Sequence, residues 1–517
     1  MSQTTFVKSA FILTIASLLS KILGSIFRIP LQNIAGDEVL GIFSLVYPVY
    51  MVALFLSVAG IPTAISKLIA EARAINNQGN IREIYTTASI LSLFFGVISF
   101  AIIYFFSTPI ANALGGPETR VSLIIVSATL IIAPYMAVYR GYFQGFEDMR
   151  PTGISQVIEQ FIRVALILIM AYILVSAEAS TEVISGGVMV GSVLGALASL
   201  IYLRMIYARS SFKVKKITAY TLTIFKKWSK QILQVSIPIA IGSITMALLN
   251  FIDSFTVPLG LRQAGVSTEK ITYLYGIFSR GTTLVQIVTV FASSIVMPLI
   301  PAITKRMLER DLSGTRSIIE RSYYLTHFIS WPAALGLVAL TFPLNLSLFT
   351  NLEGSMVLAI TEFSSVFTSL VLLGTGVLQG IGLANISAFI IILGVVLKII
   401  INPMFIRISG LDGAAWATLT VYFVLFLTNS MIINKHLKLI LFNKQIGKII
   451  LASVIMGAVI GIPTLFFDLS EWTRLQALGY IIIAIIFGAI IYFLQLFLYK
   501  GIDRKEIQTL LKKTRTG

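Results

Sequence analysis

The feature that most constrains this chain is a series of apolar stretches separated by short polar turns. Each is about 20 residues long, enough to cross a hydrocarbon core about 30 Å thick at 1.5 Å of helix rise per residue. Fourteen are found, centred near Ile15, Ala53, Phe95, Ile131, Leu166, Val193, Ile244, Val288, Leu335, Thr368, Val395, Phe423, Ala458 and Ile486. Hydrophobic residues make up 57% of the 517 and charged residues 12%, against about 45–50% and about 25% in soluble domains. A soluble globular domain and a disordered chain are therefore excluded. With no cysteine, so is a disulfide scaffold. The first stretch reads as a retained helix, because the apolar run continues past Lys21 to Phe27 without a small-x-small cleavage site.

The net charge of +17 would suit a nucleic-acid partner, but depth explains most of it. With the N-terminus inside, 29 of the 39 basic residues fall in inner loops and tails. Six fall outside (Arg28, Arg120, Arg262, Lys270, Arg407 and Arg474), and four lie within spans (Lys21, Arg163, Arg280 and Lys398). Positive charge collects on the cytoplasmic side of membrane proteins. Both termini are thus expected in the cytoplasm, with no nucleic acid bound.

The chain also repeats itself. Gly41-Ile-Phe-Ser44 recurs as Gly276-Ile-Phe-Ser279, an offset of 235 residues. Gly141, Gln144 and Gly145 recur at the same offset as Gly376, Gln379 and Gly380, and Arg163 matches Lys398. The repeat maps spans one to six onto seven to twelve. Six is even, so both halves enter the membrane in the same sense, as in transporters with parallel repeats. The expected fold is an all-α integral membrane protein of 14 transmembrane helices, two six-helix lobes plus two extra C-terminal helices. Residues 1–210 form the N-lobe, 211–230 a cytoplasmic amphipathic linker, 231–445 the C-lobe, 446–499 spans thirteen and fourteen, and 500–517 a cytoplasmic tail. In the linker, Ile217, Thr221, Ile224 and Trp228 recur at helical spacing among lysines, the pattern of a helix lying on the membrane surface. The repeated Gly-x-x-Gln-Gly elements read as structural turns, Gln144 and Gln379 holding helix ends together.

A charge inside a span is costly and faces the protein interior or a wet cavity. Glu159 and Arg163 stand at i,i+4 and can neutralise each other. Lys398 has no such neighbour, since Gly394 occupies the matching position, and Asp253 on span seven is its expected partner. Lys21, Arg28 and Arg280 have no acid within a turn, although Asp37 and Glu38 follow Arg28 in the outer loop. Three cations from spans one and eight suit an anion, and Arg suits phosphate through its planar fork. No residues stand out as catalytic or as metal ligands.

At these residues the chain resembles a known family. Ala16-Ser-Leu-Leu-Ser-Lys-Ile-Leu-Gly24, Gly141-Tyr-Phe-Gln-Gly145 and Met149-Arg-Pro-Thr-Gly-Ile-Ser-Gln-Val-Ile-Glu-Gln160 look like the MurJ and stage V sporulation protein B families, including their YtgP-like branch. These belong to the multidrug/oligosaccharidyl-lipid/polysaccharide (MOP) exporter superfamily, and the resemblance covers essentially the whole chain. It implies a flippase of the bacterial plasma membrane, not an enzyme, that moves undecaprenyl-pyrophosphate-linked lipid II to the outer leaflet by alternating access. Relatives move other polyprenyl-linked saccharides. The resemblance places Lys21, Arg28 and Arg280 on the anionic headgroup, and spans thirteen and fourteen along the lipid tail. It implies no cofactor, with coupling to the membrane potential or a monovalent cation. The expected partners are the polyprenyl-linked saccharide, membrane lipids and cell-wall synthesis proteins, with the chain itself a monomer. The pattern is not uniform. Tyr47 to Val58 lacks the basic residues common in the second helix of MurJ proteins, and Lys398 stands where some members hold a cation. The rival readings are a flippase or exporter of another polyprenyl-linked unit, including a spore-cortex precursor, a drug/cation antiporter, and a membrane-bound glycan enzyme.

Overall fold

The structure is a computed structural model that describes residues 3–58, 60–210, 220–439 and 443–499. Its regular elements are helices, with no strand among the described residues. At membrane depth a backbone N–H and C=O must be satisfied within the segment, which a helix does and a lone strand does not. In chain order the α-helices are α1 (Gln3–Ile26), α2 (Arg28–Val58), α3 (Ile61–Ala74), α4 (Gln78–Phe105), α5 (Ser107–Leu114), α6 (Thr119–Ser127), α7 (Thr129–Gly145), α8 (Arg150–Ser176) and α9 (Thr181–Arg209). They continue as α10 (Leu222–Gln263), α11 (Thr268–Leu308), α12 (Leu312–Ala339), α13 (Thr341–Phe349), α14 (Ser355–Gly380), α15 (Ala384–Ser409), α16 (Leu411–Leu437), α17 (Lys444–Gly461) and α18 (Arg474–Leu498).

Among the described residues, 11 helices or merged runs are long and apolar enough to cross a membrane. The number is 12 if α12 and α13, bent by 75° at Leu340, form one span. The all-helical membrane architecture is therefore as expected, while the count differs from fourteen. One run, Ile12–Ala74, holds 63 residues. It is interrupted at Phe27 and at two glycines in the left-handed region, Gly36 and Gly60, both with φ 81°.

The chain forms two compact units, residues 1–279 and 280–517. In the first, α8 packs along α9 and against α1, and α7 lies between α3 and α4. Ile65, Ile69, Tyr142, Phe143, Trp228 and Ile232 share its core. The two compact units divide within α11, between Ser279 and Arg280. Residues 211–219 lie outside the described residues, and from Leu222 the chain is already α10. That helix packs on α2, α3 and α4, which draws span seven into the first unit. Trp228, expected on a membrane-surface helix, is buried and donates its indole N–H to Glu83 Oε2 at 2.7 Å.

The repeated Gly-Ile-Phe-Ser segments meet within the first unit, where α2 crosses the start of α11. A Cβ on Gly41 would stand 1.8 Å from the Thr272 carbonyl oxygen, and one on Gly276 would stand 1.9 Å from that of Asp37. Shifting Asp37 and Gly41 by the 235-residue offset gives Thr272 and Gly276, so the contact is reciprocal. Only residues without side chains let two helix backbones approach this closely.

In the second unit α12 lies against α14 and α17, and α16 packs on α14 and α15. α17 and α18 pair with each other and rest on α12 and α13. Tyr492 donates its hydroxyl to the Phe328 carbonyl at 2.8 Å, which ties α18 to α12. One face of α18 stays exposed and wholly apolar, including Ile482, Ile486, Phe487, Ile490 and Phe493.

Candidate functional site

Arg28 opens α2 immediately after the break at Phe27. Its side chain is turned inward and only 7% exposed. The guanidinium lies 5.7 Å from the centre of the Phe43 ring, with Tyr47 and Tyr275 as its titratable neighbours. Its Nε has no hydrogen-bond partner. The acids that follow it in sequence are engaged elsewhere: Asp37 Oδ2 accepts from Gln32 Nε2 at 3.1 Å, and Glu38 Oε2 from Thr181 Oγ1 at 3.2 Å. Lys21, almost two turns earlier on α1, is exposed. Arg28 is thus a buried cation in an aromatic niche, and among the described residues no carboxylate forms an ion pair with it.

A second charged group lies between α7 and α8. Glu159 accepts from Arg163 Nη2 at 2.7 Å, the i,i+4 pair expected from spacing, and also from Arg140 Nη2 at 2.8 Å. Arg140 further donates to Ser155 Oγ at 3.0 Å and Ser199 Oγ at 3.2 Å, which binds α7, α8 and α9 together. The group borders a cavity of about 190 Å³ whose polar wall includes Tyr50, Arg140, Gln144, Thr152, Gln156 and Glu159. Arg140 escaped the sequence reading because it was assigned to an inner loop. Its position next to the Gly141–Gly145 turn was the available signal.

Those turns are helix contacts. Gly141 and Gly145 end α7 and let it lie on α3, where a Cβ would stand 2.6 Å from the Pro62 carbonyl and 2.8 Å from Ile69 Cβ. Gly376 and Gly380 end α14 and seat it on the C-terminal part of α11, with 2.5 Å and 2.9 Å to Val296 Cγ1 and Ile303 Cβ. Gln144 reaches Thr152 Oγ1 at 3.5 Å, and the Gln379 side chain is half-buried.

In the second unit Arg280 is fully buried. Its Nη1 donates to Asn345 Oδ1 and Asn351 Oδ1, both at 2.9 Å, and its guanidinium lies 5.4 Å from the Phe349 ring centre. It therefore clamps the end of α13 and the loop that follows. Lys398 is also fully buried, with Nζ 3.5 Å from Thr418 Oγ1 and 5.6 Å from the Tyr422 ring centre. Asp253, its expected partner, belongs to the first unit, where it neighbours Tyr275. One buried acid was missed altogether. Glu362 on α14 is fully buried, with Oε2 2.8 Å from Thr341 Oγ1 at the start of α13. A single carboxyl inside an apolar run was its signal.

Outside the spans the charges behave conventionally. Asp311 caps α12, accepting from the Gly314 amide and from Ser313, and these bonds hold its carboxyl below the usual range. Arg150, at the start of α8, donates to Asp148 Oδ1 at 2.8 Å and Oδ2 at 2.9 Å.

Many crossing helices that carry a repeated half and keep charged side chains inside are the build of a multi-pass membrane transporter. A family model described as Polysaccharide biosynthesis protein matches residues 6–307, more than half of the chain, and the chain belongs to that family. It is 32% identical to "Uncharacterized membrane protein YabM" of Bacillus subtilis (strain 168), over 80% of this chain and 76% of the relative. It is 25% identical to "Lipid II flippase MurJ" of the same organism, over 100% of this chain and 98% of the relative. To the same organism's "Stage V sporulation protein B" it is 26% identical over 98% of each. Among solved structures, "Lipid II flippase MurJ, inward closed conformation" shares the fold with a TM-score of 0.69 at 18% identity, covering 95% of this chain and 99% of that one. An inward-facing multidrug resistance MATE family transporter of the MOP superfamily gives 0.61 at 17% identity, covering 81% and 95%. The resemblance to the MurJ and sporulation protein B families is borne out.

Proposed function

We propose that the protein is a flippase that carries a polyprenyl-pyrophosphate-linked saccharide, lipid II foremost, from the inner to the outer leaflet by alternating access. The observation that carries this reading is Arg28, a buried guanidinium in an aromatic niche without a carboxylate among its described contacts. A cation kept in that setting is matched by a diffusible anion, and the fork of a guanidinium suits a pyrophosphate oxygen pair. Lys21 joins it on the headgroup. Arg280, the third expected headgroup residue, is held within its own unit by Asn345 and Asn351. The lipid tail stays in the bilayer along the apolar face of α17 and α18. The chain has 14 spans in this reading: the 63-residue run is two crossings, since one would be about 95 Å long, and α10 supplies the seventh. Both termini are cytoplasmic, and the protein works as a monomer beside cell-wall synthesis proteins in the bacterial plasma membrane. It is a carrier, not an enzyme, and needs no cofactor. A potential negative inside favours outward movement of anionic cargo by about 2.3 kcal/mol per charge per 100 mV, with a monovalent cation as the other source of drive.

The test is rescue of cells depleted of their lipid II flippase, scored by growth and by lipid II exposed on the outer surface. Rescue by the wild type and its loss in Arg28→Ala at equal membrane abundance is the expected result. Failure of the wild type to expose lipid II overturns the choice of cargo. A second cargo, another polyprenyl-linked saccharide such as a spore-cortex precursor, is favoured by the full-length similarity to the sporulation protein, which matches that to the flippase.

A further inference from the structure

Glu362 takes no part in the headgroup site, yet it is an acid set deep inside the second unit. It is fully buried on α14, and its Oε1 has no hydrogen-bond partner. Its Oε2 lies 2.8 Å from Thr341 Oγ1. Titratable and charged groups on the elements packed against α14 are Glu269, Lys270, Tyr273, Tyr275, Arg280, Lys305 and Arg306 on α11, Arg316, Glu320, Arg321, Tyr323, Tyr324 and His327 on α12, Lys398 and Arg407 on α15, and Asp412, Tyr422, Lys435 and His436 on α16; α13 has none. None of them is a described contact of Glu362.

A bare carboxylate held this way, inside an apolar bundle with one hydroxyl for company, is strongly disfavoured and neutralises instead. The hydroxyl supports the same assignment. Thr341 Oγ1 also lies 3.0 Å from both the Leu337 and the Val338 carbonyl oxygens. One hydroxyl hydrogen serves the helix end, and its lone pair is then free to accept from a protonated carboxyl. The position is not neutral ground: Thr341 is the first residue of α13, just past the 75° break from α12. α13 is therefore held at its start by Glu362 and towards its end by Arg280.

We propose that Glu362 is a proton-carrying site, protonated while it bonds Thr341 and deprotonated when the α12–α13 break opens to water. The step is a simple dissociation. The carboxylic O–H breaks, the electron pair stays on Glu362 as carboxylate, and the proton passes to water. The Thr341 hydroxyl keeps its own hydrogen. As a source of drive for cargo movement the site rests on the transport reading above, but its protonation does not.

The experiment is infrared spectroscopy of the purified full chain in lipid, titrated from about pH 5 to about pH 10. A carboxylic C=O band is expected that fades as pH rises, is missing in Glu362→Gln, and moves to higher frequency in Thr341→Val, where the carboxyl O–H loses its acceptor. The Thr341→Val shift identifies the band even should the Gln variant fold poorly. Absence of the band at every pH, or a band that pH leaves unchanged, overturns the proposal. In flippase-depleted cells, rescue by the wild type is expected to vary with medium pH and rescue by Glu362→Gln to be flat. An unchanged pH dependence in the variant overturns the coupling role. A band that titrates in a protein that moves no lipid II separates failure of the cargo reading from failure of this one.

Discussion

Arg28 and Glu159 show two ways of keeping charge inside a membrane protein. Glu159 sits between two arginines, and its removal leaves Arg140 and Arg163 buried together without an anion. Breaking a buried pair this way costs about 3–5 kcal/mol, so Glu159→Ala is expected to lower the thermal midpoint of the detergent-purified protein sharply. Fluorescence-detected unfolding reads this. Arg28 lacks such a partner, so Arg28→Ala is expected to leave folding intact and to lose cargo. A charge-assisted hydrogen bond is worth about 1.5–3 kcal/mol, a loss of about ten- to a hundredfold in headgroup affinity, measured with a pyrophosphate-bearing lipid. The charge of Arg28 was legible in the sequence and its aromatic surroundings were not. Sequence does not give which neighbour faces a given side of a helix; Arg140 went unseen for another reason, its assignment to an inner loop, and Glu362 because a single carboxyl in an apolar run was passed over.

Among helices, close contact is carried by glycine at defined crossings. Gly41 and Gly276 each lie against a carbonyl of the other helix with no room for a methyl group. Overpacking of this kind costs about 1–3 kcal/mol, so Gly41→Ala and Gly276→Ala are each expected to lower the unfolding midpoint, whereas Gly447→Ala, with open space around its position, is not. The α12 cap gives a pH test. Asp311 titrates below its ordinary 3.8 in the folded protein because the Gly314 amide and Ser313 favour its charged form. A depressed carboxyl stabilises above its unfolded value and loses that support as pH falls through the folded one. Faster hydrogen exchange at the Gly314 amide below about pH 4 is the expected sign. Helix positions were legible because apolar length decides them. The 75° break at Leu340 had a signal in Pro343, which cannot donate to the Ala339 carbonyl, but its angle is set by contacts such as Thr341 with Glu362 from different helices.

For the whole molecule, the absence of cysteine makes topology directly measurable. Gln78→Cys is expected to react with an impermeant thiol reagent only from the cytoplasmic side, and Ser267→Cys only from outside. Labelling of both from one side refutes the assigned orientation. The repeat does not tell where the compact units divide, because that depends on which helices α10 packs against. The crossing of Gly41 and Gly276 carries one more consequence. If each half once existed alone, two copies would have met there through an isologous interface, each glycine facing the helix that bears its twin. One bulky change would then have blocked the junction twice. Joined in a single chain, the twins vary singly, and equivalent sites now hold Asp37 in one half and Thr272 in the other. Fusion thus freed a symmetric junction to become charged on one side only.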